Sequence, residues 1–222
     1  MLFVIVTCRS LFWILCSVGT FMLTFTALAT PKWIIAKEKE YKRGFNNSII
    51  EKYKPTLGLY NRCIYDKIEE EGRCIVVPKF ALIPGVAWRA CIIFLAAAVI
   101  LLAVAAIFAV ISFCKQIVRR KSLMNLAGIM QAIAGILLIV AIILFPLGWD
   151  NNLVKRYCES GGEEAGKFKI ASCSVGLAYF AAIGATVAAF FCSMFSFVAD
   201  KAVFSDAVQD EILEGKRLIC VP

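Results

Sequence analysis

Ten cysteines and no histidine set the limits on what chemistry this chain of 222 residues can do. Without histidine, the commonest general base and a frequent zinc ligand are missing. No two cysteines stand at CxxC spacing, so neither a zinc site nor a thiol–disulfide oxidoreductase is indicated. The segments 31–89 and 148–173 hold four of the ten cysteines as two close pairs, Cys63 with Cys74 and Cys158 with Cys173. In an oxidising compartment such pairs close as disulfides. Four cysteines allow three pairings, and proximity alone favours the local one. Asn46-Asn47-Ser48 is an acceptor sequon for N-glycosylation at Asn46, useful only on a luminal face. Acid–base catalysis would ask for buried carboxylates, and the apolar runs hold none. No catalytic, cofactor-binding or metal-binding residue is expected, and no cofactor.

The elements that position these residues are four stretches free of Asp, Glu, Lys and Arg: Ser10–Thr30, Ala90–Cys114, Ser122–Trp149 and Cys173–Ala199. At ~1.5 Å rise per residue each is long enough to cross a hydrocarbon core of ~30 Å as a helix. Hydrophobic residues make up 61% of the chain and charged residues only 18%, more apolar surface than one soluble core could hide. The reading is a single tetraspan membrane domain over 1–222, with spans at about 10–30, 90–114, 122–147 and 174–199. Loops 31–89 and 148–173 are then extracellular, and loop 115–121 and tail 200–222 cytoplasmic.

Orientation rests on the short loop, where Lys115, Arg119, Arg120 and Lys121 stand with no acid. The long loop holds eleven Lys and Arg ahead of Arg89. They are mixed with seven acids, and many lie far from a membrane border, where the rule weakens. Both termini are therefore placed in the cytoplasm, with the plasma membrane as the expected location. The first span is longer than a signal h-region and follows an apolar lead, so it reads as an uncleaved anchor.

Trp33–Ile35, Thr56–Tyr60, Arg62–Tyr65 and Cys74–Val77 read as short antiparallel strands. Pro31, Pro84 and Pro146 mark the ends of helices. Gln131 is the one strongly polar side chain deep in a span, of the kind that bonds a neighbouring helix. Small residues repeat at four in the last span (Ala181, Ala185, Ala189; Gly184, Ala188), and Gly128, Ala132 and Gly135 occupy the third. Such stripes let helices approach closely. Phe204, Val208 and Ile212 suggest an amphipathic helix in the tail. Cys8, Cys114 and Cys220 are palmitoylation candidates by location.

Trp33, then Gly58-Leu59-Tyr60-Asn61-Arg62-Cys63, then Cys74 resembles the W…GLW-x-x-C…C signature of the claudin-like tetraspan superfamily, with Tyr60 in place of its second Trp. Phe145-Pro146-Leu147-Gly148-Trp149-Asp150, Val154–Cys158 and Cys173–Tyr179 resemble the lipoma-HMGIC-fusion-partner-like (LHFPL) tetraspan family. The segments Val4–Ser10 and Val208–Cys220 are similar to one subfamily of it. The resemblance implies a left-handed four-helix bundle under a small extracellular antiparallel sheet. It also implies a role as a non-catalytic accessory subunit of channels or receptors.

The expected partners are the lipid bilayer and other integral membrane proteins, with a homo-oligomer possible. The formal net charge of +8 is spread over loops on both faces, which speaks against nucleic acid. The alternative is claudin-type adhesion or a paracellular barrier; an enzyme or transporter ranks last for want of reactive side chains.

Overall fold

A computed structural model describes residues 4–43, 49–66, 72–83, 85–112, 117–118, 121–159, 162, 164–203 and 218–221. In chain order the elements are β1 (Val4–Thr7), α1 (Cys8–Ala29), β2 (Ile34–Ile35), β3 (Lys39–Arg43), β4 (Ile49–Leu57), β5 (Asn61–Asp66) and β6 (Gly72–Val76). A 3-10 turn (Phe80–Leu82) leads into α2 (Val86–Ile111), β7 (Ile117–Val118), β8 (Lys121–Ser122) and α3 (Leu123–Leu147). Then come α4 (Asn152–Cys158), β9 (Ser174–Val175), α5 (Leu177–Val203) and β10 (Leu218–Val221).

Helices α1, α2, α3 and α5 are each long and apolar enough to cross a membrane. Their burial pattern explains how they serve lipid. Along α3 the buried positions are Met124, Ala127, Gln131, Ala134, Leu138, Ala141 and Phe145, alternately three and four apart. Along α2 they are Trp88, Cys91, Leu95, Ala98, Leu102, Ala105 and Ala109; along α5, Ala178, Ala182, Ala185, Ala189, Cys192, Ser196 and Ala199. This is a 3.5-residue period, the repeat that favours left-handed supercoiling. The opposite faces carry large apolar side chains: Ile93, Ile100 and Ile107 on α2, and Val187, Phe191 and Met194 on α5, are exposed. Water would not tolerate so much apolar surface; hydrocarbon does. The chain is a multi-pass membrane protein.

Chain contacts divide it into two compact units. The first comprises Met1–Phe25, Ala96–Ile139 and Ile183–Pro222. Its core gathers Trp13 and Ile14 of α1, Ala105 and Ala109 of α2, Met124 and Ala127 of α3, and Ala199 of α5. Gly128 lets α3 and α5 touch, since a Cβ there would lie 1.9 Å from Ser196 Oγ. Gln131 Nε2 donates to Ser17 Oγ at 2.8 Å, and Ser17 Oγ donates to the Trp13 carbonyl, so α3 is tied to α1. The Trp13 indole donates to the Cys192 carbonyl on α5 at 3.0 Å. β1 pairs in parallel with β10, which sets the two chain ends side by side.

The second unit comprises Thr26–Leu95 and Val140–Ala182. Its sheet has the order β6-β5-β4-β2-β9, with β3 paired to the first part of β4. Pro55 sits where the neighbour of β4 changes from β3 to β2, a place where a missing N–H costs nothing. Its carbonyl still accepts from Ala36 N–H.

Several expectations are corrected. The Thr56–Tyr60 strand ends at Leu57 but begins at Ile49, well ahead of Thr56, because a charged hairpin, Lys39–Arg43 with Ile49–Tyr53, extends it. Ser174 and Val175 form β9, so α5 begins at Leu177 and not at 174. α2 begins at Val86 and includes Arg89, a charge that a helix end can carry to the interface. α3 runs one residue past Pro146. Of the four-spaced small residues on α5, Ala185 and Ala189 lie on the inward stripe, whereas Gly184 is exposed and Ala181 and Ala188 are half-buried. Asn46, Pro84, Cys114, Lys115, Arg119, Arg120 and the tail positions 204–217 lie outside the described residues.

Candidate functional site

The motif residues converge in the second unit, at the ends of the helices beneath the sheet. The last carbonyls of a helix lack intrahelical donors. Here side chains supply them: the Trp33 indole donates to the Ala27 carbonyl at 2.8 Å, and Asn61 Nδ2 donates to Ala29 at 3.0 Å. Trp33 is fully buried, its ring edge-on to Phe145 at 4.8 Å between centroids. Phe145 is the hub, also meeting Trp88 at 5.3 Å, Tyr179 at 5.4 Å and Trp149 at 5.8 Å.

Gly58 and Leu59 form the turn between β4 and β5. A Cβ on Gly58 would lie 1.9 Å from Asn61 Oδ1 and 2.8 Å from Pro31 Cα, so only glycine leaves room for the Asn61 cap. The Leu59 side chain is buried and its carbonyl accepts from the Trp88 indole at 3.1 Å. Tyr60 is half-buried in the turn, and its carbonyl accepts from Val77 N–H. Gly148 lies against the backbone of Trp88, 3.2 Å from a Cβ to its nitrogen. Trp149 is buried, with no partner for its indole nitrogen among the described residues.

Cys63 is joined to Cys74 across β5 and β6, with Cα atoms 4.1 Å apart. Cys158 at the end of α4 is joined to Cys173 just before β9. α4 is started by Asn151, whose Oδ1 accepts from the N–H groups of Leu153 and Val154. Lys155 lies 2.7 Å from Asp150. The hydrogen bond between them holds the Asp150 carboxyl below its usual range and Lys155 above its own, with their mutual attraction adding in the same direction. Cys8, Cys16, Cys91 and Cys192 form no disulfide, and Cys8 is exposed.

Among the described residues no group of three His, Cys, Asp or Glu side chains could hold a metal ion. The Trp33 and Trp88 indoles and the Asn61 amide nitrogen are committed to backbone carbonyls. Their arrangement is a clamp that fixes the sheet on the helix ends; among the described residues it brings no nucleophile and base together.

Residues 9–200 match the family described as lipoma HMGIC fusion partner-like protein. The chain is 37% identical to LHFPL tetraspan subfamily member 2a protein of Danio rerio and 38% identical to LHFPL tetraspan subfamily member 2 protein of Homo sapiens. Each alignment covers 98% of both proteins. The chain belongs to the LHFPL tetraspan family. It is also 31% identical, over 72% of its length, to LHFPL tetraspan subfamily member 3 protein of Danio rerio. For an LHFPL tetraspan chain the sequence motifs are legible as packing devices: Trp33 as a helix cap, Gly58 as the clearance that a second cap needs. Trp88 and Tyr179 belong to the same clamp, and sequence reasoning assigned neither of them a role. The available signal was an aromatic residue within a turn of a span's end, the usual place for interfacial rings.

Proposed function

We propose that this LHFPL tetraspan chain is a non-catalytic accessory or organising subunit of the plasma membrane. It binds channel or receptor proteins through its transmembrane helices and its sheet. Both termini lie in the cytoplasm in this reading, and the sheet is extracellular. The observation that carries it is the disposition of polar groups: in the sheet unit Trp33, Asn61 and Trp88 all bond the chain's own backbone. Meanwhile the helices expose large apolar side chains and no charged ones along their middles. Such a surface suits lipid and other helices, not substrates.

Purification in mild detergent with quantitative mass spectrometry should recover a stoichiometric membrane partner. Recovery of none would remove the proposal. The second reading, a claudin-like adhesion or barrier component, predicts protein concentrated at cell contacts and a changed transepithelial resistance.

A further inference from the structure

Strands β5 and β6 carry the same tripeptide, Arg62-Cys63-Ile64 and Arg73-Cys74-Ile75. They pair antiparallel in the register Arg62↔Ile75, Cys63↔Cys74, Ile64↔Arg73, so each arginine faces an isoleucine. Among the described residues β6 ends the sheet, with β5 its one partner. Val77 N–H donates to the Tyr60 carbonyl. By antiparallel alternation residues 75 and 73 also bond β5, while the N–H and C=O of 72, 74 and 76 face away. The 4.1 Å Cα separation of Cys63 and Cys74 fits the close, non-hydrogen-bonded class that this parity assigns them. Ile75 is 68% and Val76 59% exposed, so the edge is apolar as well as unpaired among the described residues. An exposed apolar edge of this kind is a template for another strand.

We propose that β6 pairs antiparallel with β6 of a second copy of this chain. The register repeats the internal one, with Arg73 opposite Ile75 of the second copy and Cys74 opposite Cys74. The tripeptide is self-complementary in that register, because no arginine opposes an arginine. A shift toward Gly72 sets Arg73 against Arg73, and a shift toward Val77 shortens the overlap. The contact is isologous and joins two sheets into one. It is independent of the accessory role: a variant that loses self-pairing but keeps a stoichiometric partner leaves that role standing.

The test uses the full chain in lipid nanodiscs, with isotopically heavy and light copies mixed before reconstitution. A photo-crosslinking residue at position 75 should give heavy–light crosslinks to the peptide bearing Arg73. Val76→Pro removes an outward N–H and leaves the β5–β6 bonds intact. It should weaken self-association at least tenfold by mass photometry and retain the Cys63–Cys74 disulfide in non-reducing peptide maps. Val76→Lys, which leaves the backbone untouched, should weaken it in the same direction. Absence of mixed crosslinks, crosslinks confined to the helices, or unchanged association in both variants would overturn the proposal.

Discussion

The Tyr179 hydroxyl donates to the Ile142 carbonyl at 3.2 Å, the acceptor that Pro146, four residues on, cannot serve. A proline in the last turn of α3 thus leaves one carbonyl without its intrahelical donor, and α5 supplies the substitute. In lipid there is no water to do so. Tyr179→Phe should cost about 1–3 kcal/mol, because the carbonyl is then buried unpaired. The same substitution should cost much less in a Pro146→Ala background, where the restored N–H fills the acceptor. Equal losses in both backgrounds, measured by thermal unfolding in detergent, would disprove the coupling.

Gln131 and Ser17 make an unequal pair. Gln131 Oε1 has no partner among the described residues, so Gln131→Met removes a bond and an unsatisfied group together. Ser17→Ala leaves the whole amide unsatisfied. Ser17→Ala should therefore destabilise by about 1–2 kcal/mol and Gln131→Met by less. A denaturant titration in mixed micelles that reversed the order would contradict this account.

Gly128 and Gly19 should respond oppositely to alanine. Gly128→Ala places a methyl on Ser196 and should cost about 1–3 kcal/mol, partly recovered by Ser196→Gly. Gly19 has nothing within 4 Å of a Cβ, so Gly19→Ala should stay within about 0.5 kcal/mol of wild type. Melting temperatures of the three variants provide the comparison.

Gly176 should tolerate no side chain. A Cβ would lie 2.0 Å from the Lys32 carbonyl oxygen, a backbone atom that cannot turn away. Gly176→Ala should break the β2–β9 pairing while α5 persists. Hydrogen exchange should then rise at Ile34–Ile35 and stay slow in the spans; unchanged protection at Ile34 would count against it.

The Asp150–Lys155 pair sets a pH sign. Because the folded carboxyl is held below its usual range, its contribution is present above the ordinary carboxylate pKa. It is lost as pH falls through the lowered value. Lys155→Met should raise the Asp150 midpoint toward that of a free aspartate, as read by carbon NMR. An unchanged midpoint would show that the pair is not formed in solution.

How much of this was legible beforehand depended on the kind of residue. The spans were plain because lipid forbids mid-helix charge, and counting charges finds such runs. Their ends were not: Arg89 closes an uncharged run yet lies inside α2, since a long side chain can reach the interface from the first turns. The β3–β4 hairpin was hidden because Lys39–Arg43 has no apolar face to show a period of two. The inward face of α5 was found only in part, Ala185 and Ala189 but not Ala178 or Ala182, since several interleaved alanines satisfy small-residue spacing equally. Only burial distinguishes Ala182 from Ala181. Trp33 and Gly58 stood out as a motif, but their use as helix cap and clearance needed the distances.

The pairing of β2 with β9 has a consequence for biosynthesis. Ile34 emerges from the ribosome near the beginning of translation and Val175 only after three of the four helices have been made. Throughout that interval one side of β2 waits without its neighbour while the chain is threaded through the translocon. Completion of the sheet therefore waits until synthesis has passed β9, and a product truncated ahead of Ser174 would carry a bare β2.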